Sequence, residues 1–362
     1  MIEIFLGVSD GAMRLYIAYA DAPSLSVVAG HIAKVARRAG HEVFTRTYPD
    51  LMEFKMLKAE GLLYIYPVNP PMASRYAGFY STQASYMPEE SQLWYGTAEG
   101  TPWGLPASYP MWRMIRFVAN SMYTASKLQE VEYRVVDIVH HGYDPDEVKE
   151  ALDYVEVLRR KVERDFQGRI IFSVVAGGHV RKGWSQLFDA LSKLSDQVRQ
   201  RIAVLAVAPQ KVVEEIQKRG LADVVKVVGE FGKMIRRNVL AAMAVADYVI
   251  VPTLGEGFGL PLLEANALGK PAIHSWFQPL SEFSSKECNI TFPYDDVKEV
   301  VDNGVEFELH VYDPEYLADA ITQAVGIYGT ADYDRMASKC VESVKQMTIY
   351  ELYPRLLSRL KA

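Results

Sequence analysis

The densest chemistry in the chain lies in Pro252-Thr253-Leu254-Gly255-Glu256-Gly257-Phe258-Gly259-Leu260-Pro261-Leu262-Leu263-Glu264. An apolar strand over 248–251 runs into Pro252. A glycine-rich loop follows, and a helix begins near Pro261, where proline's missing N–H costs nothing. A helix start leaves backbone N–H groups without intrahelical partners, and the helix dipole adds positive potential there. Such a turn receives anions. Gly257 and Gly259, on either side of Phe258, let a ligand approach the backbone as far as Leu260. Two carboxylates frame the turn. Glu256 lies in the loop, beside any ligand seated on the helix start. Glu264 lies one turn into an otherwise apolar helix, where an unpaired carboxylate is costly. A sugar or ribose diol would satisfy it with two short hydrogen bonds. The competing assignments for Glu264 are a pair with Lys270 or exposure to solvent.

A second segment has the same construction: Val174-Val175-Ala176-Gly177-Gly178-His179-Val180-Arg181-Lys182-Gly183. It follows a buried strand and precedes a helix. Arg181, with a planar fork, and Lys182, as a point charge, are suited to neutralising a diphosphate. The segment is neither a P-loop nor a dinucleotide fingerprint. Alone it reads as solvated surface. Its weight comes from lying on the same sheet, and at the same end, as the glutamate loop.

These loops need strands and helices to hold them. In the first half, apolar runs at 2–8 and 14–20 flank Asp10-Gly11, a hairpin signal; the alternative is a ligand cradle at Ser9-Asp10-Gly11. A helix capped by Ser24 runs to Gly40, and strands are predicted at 42–47, 62–66, 93–95, 115–119 and 135–139. Helices are predicted at 121–130 and over a charged stretch, 145–166. Segment 67–112, rich in Pro, Gly, Tyr and Trp, is irregular. From 170 the alternation is cleaner. Strands at 170–175, 202–208, 224–228, 248–251 and 272–275 are separated by helices at 184–194, 212–219, 233–244 and 261–268. Three more helices close the chain, the first at 314–325. Apolar strands alternating with helices mean parallel sheets covered on both faces, and open sheets of this kind bind ligands beyond the C-terminal ends of their strands.

Bulk properties narrow the class. A chain of 362 residues, 49% hydrophobic and 23% charged, fits two soluble domains. A net charge of −6 argues against nucleic acid. The basic stretches are short, Arg181-Lys182 and Arg236-Arg237 among them; the latter reads as a solvated helix face, with a place near a nucleotide base as the alternative. Cys288 and Cys340 lie in no metal or redox spacing and read as small core side chains, with no disulfide implied. Neither a signal peptide nor a membrane-spanning run is visible, so a cytoplasmic setting is expected. No metal site is expected either. Asp144-Pro145-Asp146 sits where aspartates cap a helix, and His140 and His141 read as structural or cleft-lining. Tyr80, Tyr86, Trp94, Tyr95, Trp103, Tyr109 and Trp112 crowd the irregular segment as core, as a subunit contact, as sugar-stacking faces or as a membrane-interface belt.

The residues resemble the retaining glycosyltransferase family 4, with its GT-B fold. Glu256 and Glu264 match that family's Glu-x7-Glu motif, Glu-Gly-Phe-Gly-Leu-Pro core included. Lys182-Gly183 is similar to its phosphate-binding Lys-Gly. Arg38-Ala39-Gly40-His41-Glu42-Val43, Asn120-Ser121 and His141-Gly142-Tyr143-Asp144 look like further landmarks. The resemblance is strong from 170 to 275 and weak from 50 to 115. It implies two Rossmann-like doubly wound domains facing a central cleft. Residues 1–165 would form the acceptor side and 166–346 the donor domain, with a last helix near 347–362 packing back on the first. It implies that Glu264 holds the ribose. Glu256 and the Gly257–Leu260 backbone, with Phe258 and Gly259, hold the sugar and diphosphate, and Lys182 takes the phosphates. Gly178 stands where the family often has arginine, and Arg181 is the candidate to supply that charge. Asp21-Ala22-Pro23-Ser24 replaces a frequent glycine pair. Gly96-Thr97-Ala98-Glu99-Gly100 stands where many members place a histidine; Glu99 is the candidate for that place, against a structural carboxylate.

The expectation is therefore metal-independent hexosyl transfer, with retention, from a nucleotide sugar such as a UDP-, GDP- or ADP-sugar to a hydroxyl of a glycan, lipid or small molecule. No other cofactor is implied, and peripheral association with the cytoplasmic membrane face is an alternative setting. The rival classes are a sugar-nucleotide epimerase or phosphorylase on a similar scaffold, and a non-catalytic nucleotide- or carbohydrate-binding subunit.

Overall fold

The computed structural model describes residues 12–68, 87–103, 115–166 and 168–361. The apolar run at 2–8, the Asp10-Gly11 turn, and Tyr80, Tyr86, Tyr109 and Trp112 lie outside the described residues.

Alternating strands and helices build two parallel sheets. In the first, β1 (Arg14–Tyr19), β2 (Glu42–Arg46), β3 (Gly61–Pro67), β4 (Gln92–Thr97), β5 (Phe117–Ala119) and β6 (Val135–Ile138) lie in the order β2-β1-β3-β4-β5-β6. In the second, β7 (Ile170–Val175), β8 (Ile202–Ala208), β9 (Val225–Glu230), β10 (Tyr248–Val251), β11 (Ala272–Ser275) and β12 (Ile290–Phe292) lie in the order β12-β11-β10-β7-β8-β9. Every residue of β7, β8, β10 and β11 is buried, which is why these segments are mostly apolar, with Ser173, His274 and Ser275 as the polar exceptions. In the second sheet the chain winds outward from β7 through β8 to β9, then restarts at β10 on the other side of β7. Neighbouring β7 and β10 thus form a topological switch point, the place beside which open parallel sheets bind ligands.

The chain groups into two compact units. The first runs to Gly142 and takes in Val300–Phe307 and Met347–Ala362; the second takes Tyr143–Glu299 and Glu308–Gln346. The division falls at Gly142 rather than near 165. The helix Pro145–Phe166 packs on the helix Arg236–Ala244 and lays Leu158, Val162 and Phe166 against Ile171, Ala203 and Leu205. In the first unit the helix Ile349–Leu357 packs on the helix Pro23–Arg38, with Arg38 4.6 Å over the Tyr350 ring. The expected Ser24 cap is displaced. That helix begins at Pro23, after Ala22, with no side-chain cap.

The sequence patterns missed the helix Leu51–Leu57, capped by Asp50, the short helix Asp196–Arg201, and β12. They also missed the paired strands β13 (Asp296–Asp302) and β14 (Val305–Val311). Among the aromatics of the irregular segment, Trp94 and Tyr95 are core. Trp94 stacks on Tyr64 at 5.1 Å, and Tyr95 is buried against His141 and Tyr353. Trp103 is exposed.

Candidate functional site

The loops leaving β7 and β10 are joined to each other. After β7 the chain bends through Ala176–His179 into a single tight turn, Val180–Lys182, and Gly183 closes it at φ 70°. A Cβ on Gly183 would collide with the Pro252 carbonyl oxygen at the end of β10, so only glycine lets the two loops meet. The Arg181 carbonyl then accepts from the Leu254 N–H at 2.7 Å and from the Thr253 hydroxyl at 2.9 Å. The Trp184 indole N–H closes the first loop on the Gly177 carbonyl at 2.8 Å.

This seam brings Arg181, Lys182 and Glu256 into one cluster. Lys182 Nζ lies 2.6 Å from Glu256 Oε1, and Arg181 Nη1 lies 3.4 Å from Oε2 and 3.0 Å from the Gly255 carbonyl. The Glu256 side chain is only 8% exposed. Burial by itself would raise its carboxyl; the charges of Lys182 and Arg181 outweigh that and hold it below the usual range. Two cations therefore meet one carboxylate at the switch point.

Beyond Glu256 the loop turns into the helix Leu260–Ala267 through Gly259, whose φ of 105° is open to glycine and strained for other residues. Phe258 is buried and stacks on Phe283 with centroids 4.7 Å apart, fixing the loop from behind. Gly257 and Leu260 complete the helix start, which carries the positive end of the helix dipole.

Glu264 is buried in that helix, and its partner is neither solvent nor Lys270. Arg236 Nη2 donates to Glu264 Oε1 at 2.5 Å, and Arg236 Nε donates to Glu147 Oε2 at 2.9 Å. Arg236 is thus no solvated face. Although its burial opposes the charged form, Glu264 and Glu147 hold the guanidinium more firmly protonated than usual. Its neighbour Arg237 reaches Glu150 at 3.3 Å and lies over the Tyr154 ring. Local periodicity could not have found the triad, because its members come from three helices far apart in sequence.

The space beside Gly178 is taken by Lys211, from the start of the helix Gln210–Lys218. A Cβ there would collide with Lys211 Cε and lie 3.0 Å from Nζ. Arg181 is turned to Glu256 and the Gly255 carbonyl.

The remaining candidates belong to other segments of the chain. Glu99 belongs to the first unit, half-buried in the bend after β4. Asp144 accepts from the Asp146 N–H at 3.0 Å beside the helix Pro145–Phe166, as a capping residue does. His141 is buried between the Tyr95 hydroxyl at 2.9 Å and Asn120 at 3.0 Å; burial, with His140 and His31 nearby, pulls its pKa down to about 3. Among the described residues no helix is long and apolar enough to cross a membrane.

Comparison with known proteins places the chain among glycosyltransferase-like sequences and folds. A family described as glycosyl transferases group 1 matches residues 169–326. Uncharacterized glycosyltransferase 335 of Sulfolobus islandicus rod-shaped virus 1 is 29% identical over 350 residues, covering 95% of this chain and all of that protein. A glycosyltransferase from Rickettsia africae superposes with a TM-score of 0.69 at 16% identity, over 97% of this chain and 98% of the other. Anabaena Alr3699/HepE, solved in complex with UDP-glucose, superposes with a TM-score of 0.67 at 15% identity, over 96% of this chain and 100% of the other.

Proposed function

We propose that the chain, which has the GT-B fold, is a group 1 glycosyltransferase that moves a hexose from a nucleotide-diphosphate sugar to an acceptor hydroxyl with retention of configuration. One observation carries the reading. A buried carboxylate, Glu256, is gripped by Lys182 and Arg181 where a glycine-hinged loop meets a helix start, at the switch point of a parallel sheet.

In this reading the diphosphate rests against Lys182 and the Gly257–Leu260 backbone. As the anomeric bond breaks, charge grows on the leaving phosphate and these groups stabilise it. Lys182 already faces an anion, Glu256, so the diphosphate exchanges one anionic contact for another. Arg181 keeps Glu256 charged and placed against the sugar. Glu264, steadied by Arg236, offers its carboxylate to the ribose hydroxyls. The departing phosphate oxygen takes the proton of the acceptor hydroxyl, so no protein nucleophile is required. A nucleotide sugar as donor is supported by the crystallised complex of Anabaena Alr3699/HepE with UDP-glucose.

The test is a donor screen. Purified protein is mixed with UDP-glucose, GDP-mannose or ADP-glucose, with and without an acceptor extract, and nucleotide release is followed. Lys182→Ala should lower turnover at least about tenfold while the protein stays folded, since a lost transition-state donor costs about 2.7–4 kcal/mol, and Glu264→Ala should do so at least about tenfold by removing the acceptor for the ribose hydroxyls. Near-normal turnover in both variants would reject the assignment.

A further inference from the structure

We propose that Cys288 and Cys340 are a paired oxidation site, two thiols placed to close a structural disulfide that ties the helix Ala331–Val344 to the segment leading into β12. Both side chains are completely buried. The Cys340 thiol donates to the Cys288 carbonyl oxygen at 3.5 Å and also meets the Cys288 thiol. A carbonyl oxygen lies about 2.4 Å from its own Cα by standard backbone geometry, so the Cys340 sulfur is within about 6 Å of the Cys288 Cα. A disulfide joins residues whose Cα atoms stand about 4.4–6.8 Å apart, and the sulfur-to-carbonyl contact places Cys340 beside Cys288.

The Cys288 side of the pair is fixed. The N–H groups of Cys288 and Asn289 both bond to the Ser285 carbonyl, at 3.2 and 2.9 Å. The Asn289 side chain accepts from the Ala272 N–H and from Asn266, each at 2.8 Å. The helix carrying Cys340 packs along the helix Leu260–Ala267. The chain has two cysteines in all, so no third thiol competes.

The oxidant is a small disulfide such as oxidised glutathione. One cysteine thiolate attacks it, forming a mixed disulfide and releasing one glutathione. The second thiolate attacks the protein-side sulfur, closing the Cys288–Cys340 bond and releasing the other glutathione. Two protons leave the cysteines and two electrons reduce the oxidant. Burial, with the Cys288 side chain beside it, pushes the Cys340 thiol well above its usual range, so the closed native fold reacts slowly. Closure therefore accompanies folding or the loosening of the helix on warming. It would tie off the intervening loop and lower the unfolding constant by on the order of 10³-fold.

The experiment needs no glycosyl donor, so its outcome is independent of the function proposed above. Purified protein is held with oxidised glutathione a few degrees below its melting temperature, quenched with an alkylating agent, and analysed by intact mass and non-reducing peptide mapping. The expected result is loss of two hydrogens, a linked pair of peptides holding Cys288 and Cys340, a Tm raised by several degrees, and reversal by dithiothreitol. Cys340→Ala should give one glutathione adduct and no rise in Tm. Two adducts, two alkylated thiols after a full thermal cycle, or a linked protein with lowered Tm would each overturn the proposal.

Discussion

Single side chains show where local rules stop. Glu264 was legible as a carboxylate in an apolar helix that needed a partner, but the partner is Arg236, far away in sequence. Breaking a buried ion pair from one side leaves an uncompensated charge and costs about 3–5 kcal/mol. Arg236→Met should therefore destabilise strongly, and Arg236→Met combined with Glu264→Gln should be more stable than the sum of the single losses. A coupling of about 1–3 kcal/mol in a denaturation cycle is expected; simple additivity would mean the pair contributes nothing. His141 supplies a pH test. Its pKa is depressed from 6.5 to about 3, so the folded ring stays neutral while the unfolded chain binds a proton. Its contribution to stability is full above 6.5 and is lost as pH falls from there toward 3. The slope is at most about 1.4 kcal/mol per pH unit. Urea unfolding of His141→Gln should show a flatter acid limb than the parent. The same sign holds for Glu256, whose ion pairs contribute above the ordinary carboxylate range and are lost as pH falls through its lowered value.

At the scale of elements, the segments that read correctly are those whose apolar pattern and end signals agree. The strands β7, β8, β10 and β11 matched their predicted spans because both faces are buried and the segments are mostly apolar. Gly40 ended its helix as expected, at φ 91° in open space. The exposed strand β13 carries no such pattern, with charged residues and valines mixed and every residue exposed, so it was not legible. Two glycines with positive φ make a matched test. Gly40→Ala meets only the backbone penalty, about 1–2 kcal/mol. Gly183→Ala adds a collision with the Pro252 carbonyl, so it should cost at least about 2 kcal/mol in thermal melts and lower donor turnover. Equal effects of the two substitutions would mean that the seam between the loops is not needed.

For the whole molecule, the proposed mechanism predicts transfer without divalent metal, because in it Lys182 and the helix start do what a cation would do for the leaving phosphate. Full activity after EDTA treatment is expected; complete loss restored by manganese would point to another mechanism. The order of strands and helices determined the fold class, since continuous apolar strands have to be covered on both sides. The glycine-rich loop with its two glutamates, and the Arg-Lys turn, could be found by residue type and spacing because both lie within a few residues of a strand end. What tertiary structure alone decided is which distant groups meet. The switch point sets β7 beside β10 and so joins Lys182 to Glu256. The packing of three helices delivers Arg236 to Glu264 and Glu147, and two cysteines with no telling spacing come to share one buried site. Chain order fixes periodicity and caps, which are short-range; the partner of a buried charge or thiol depends on how sheets and helices stack, and no local pattern encodes that.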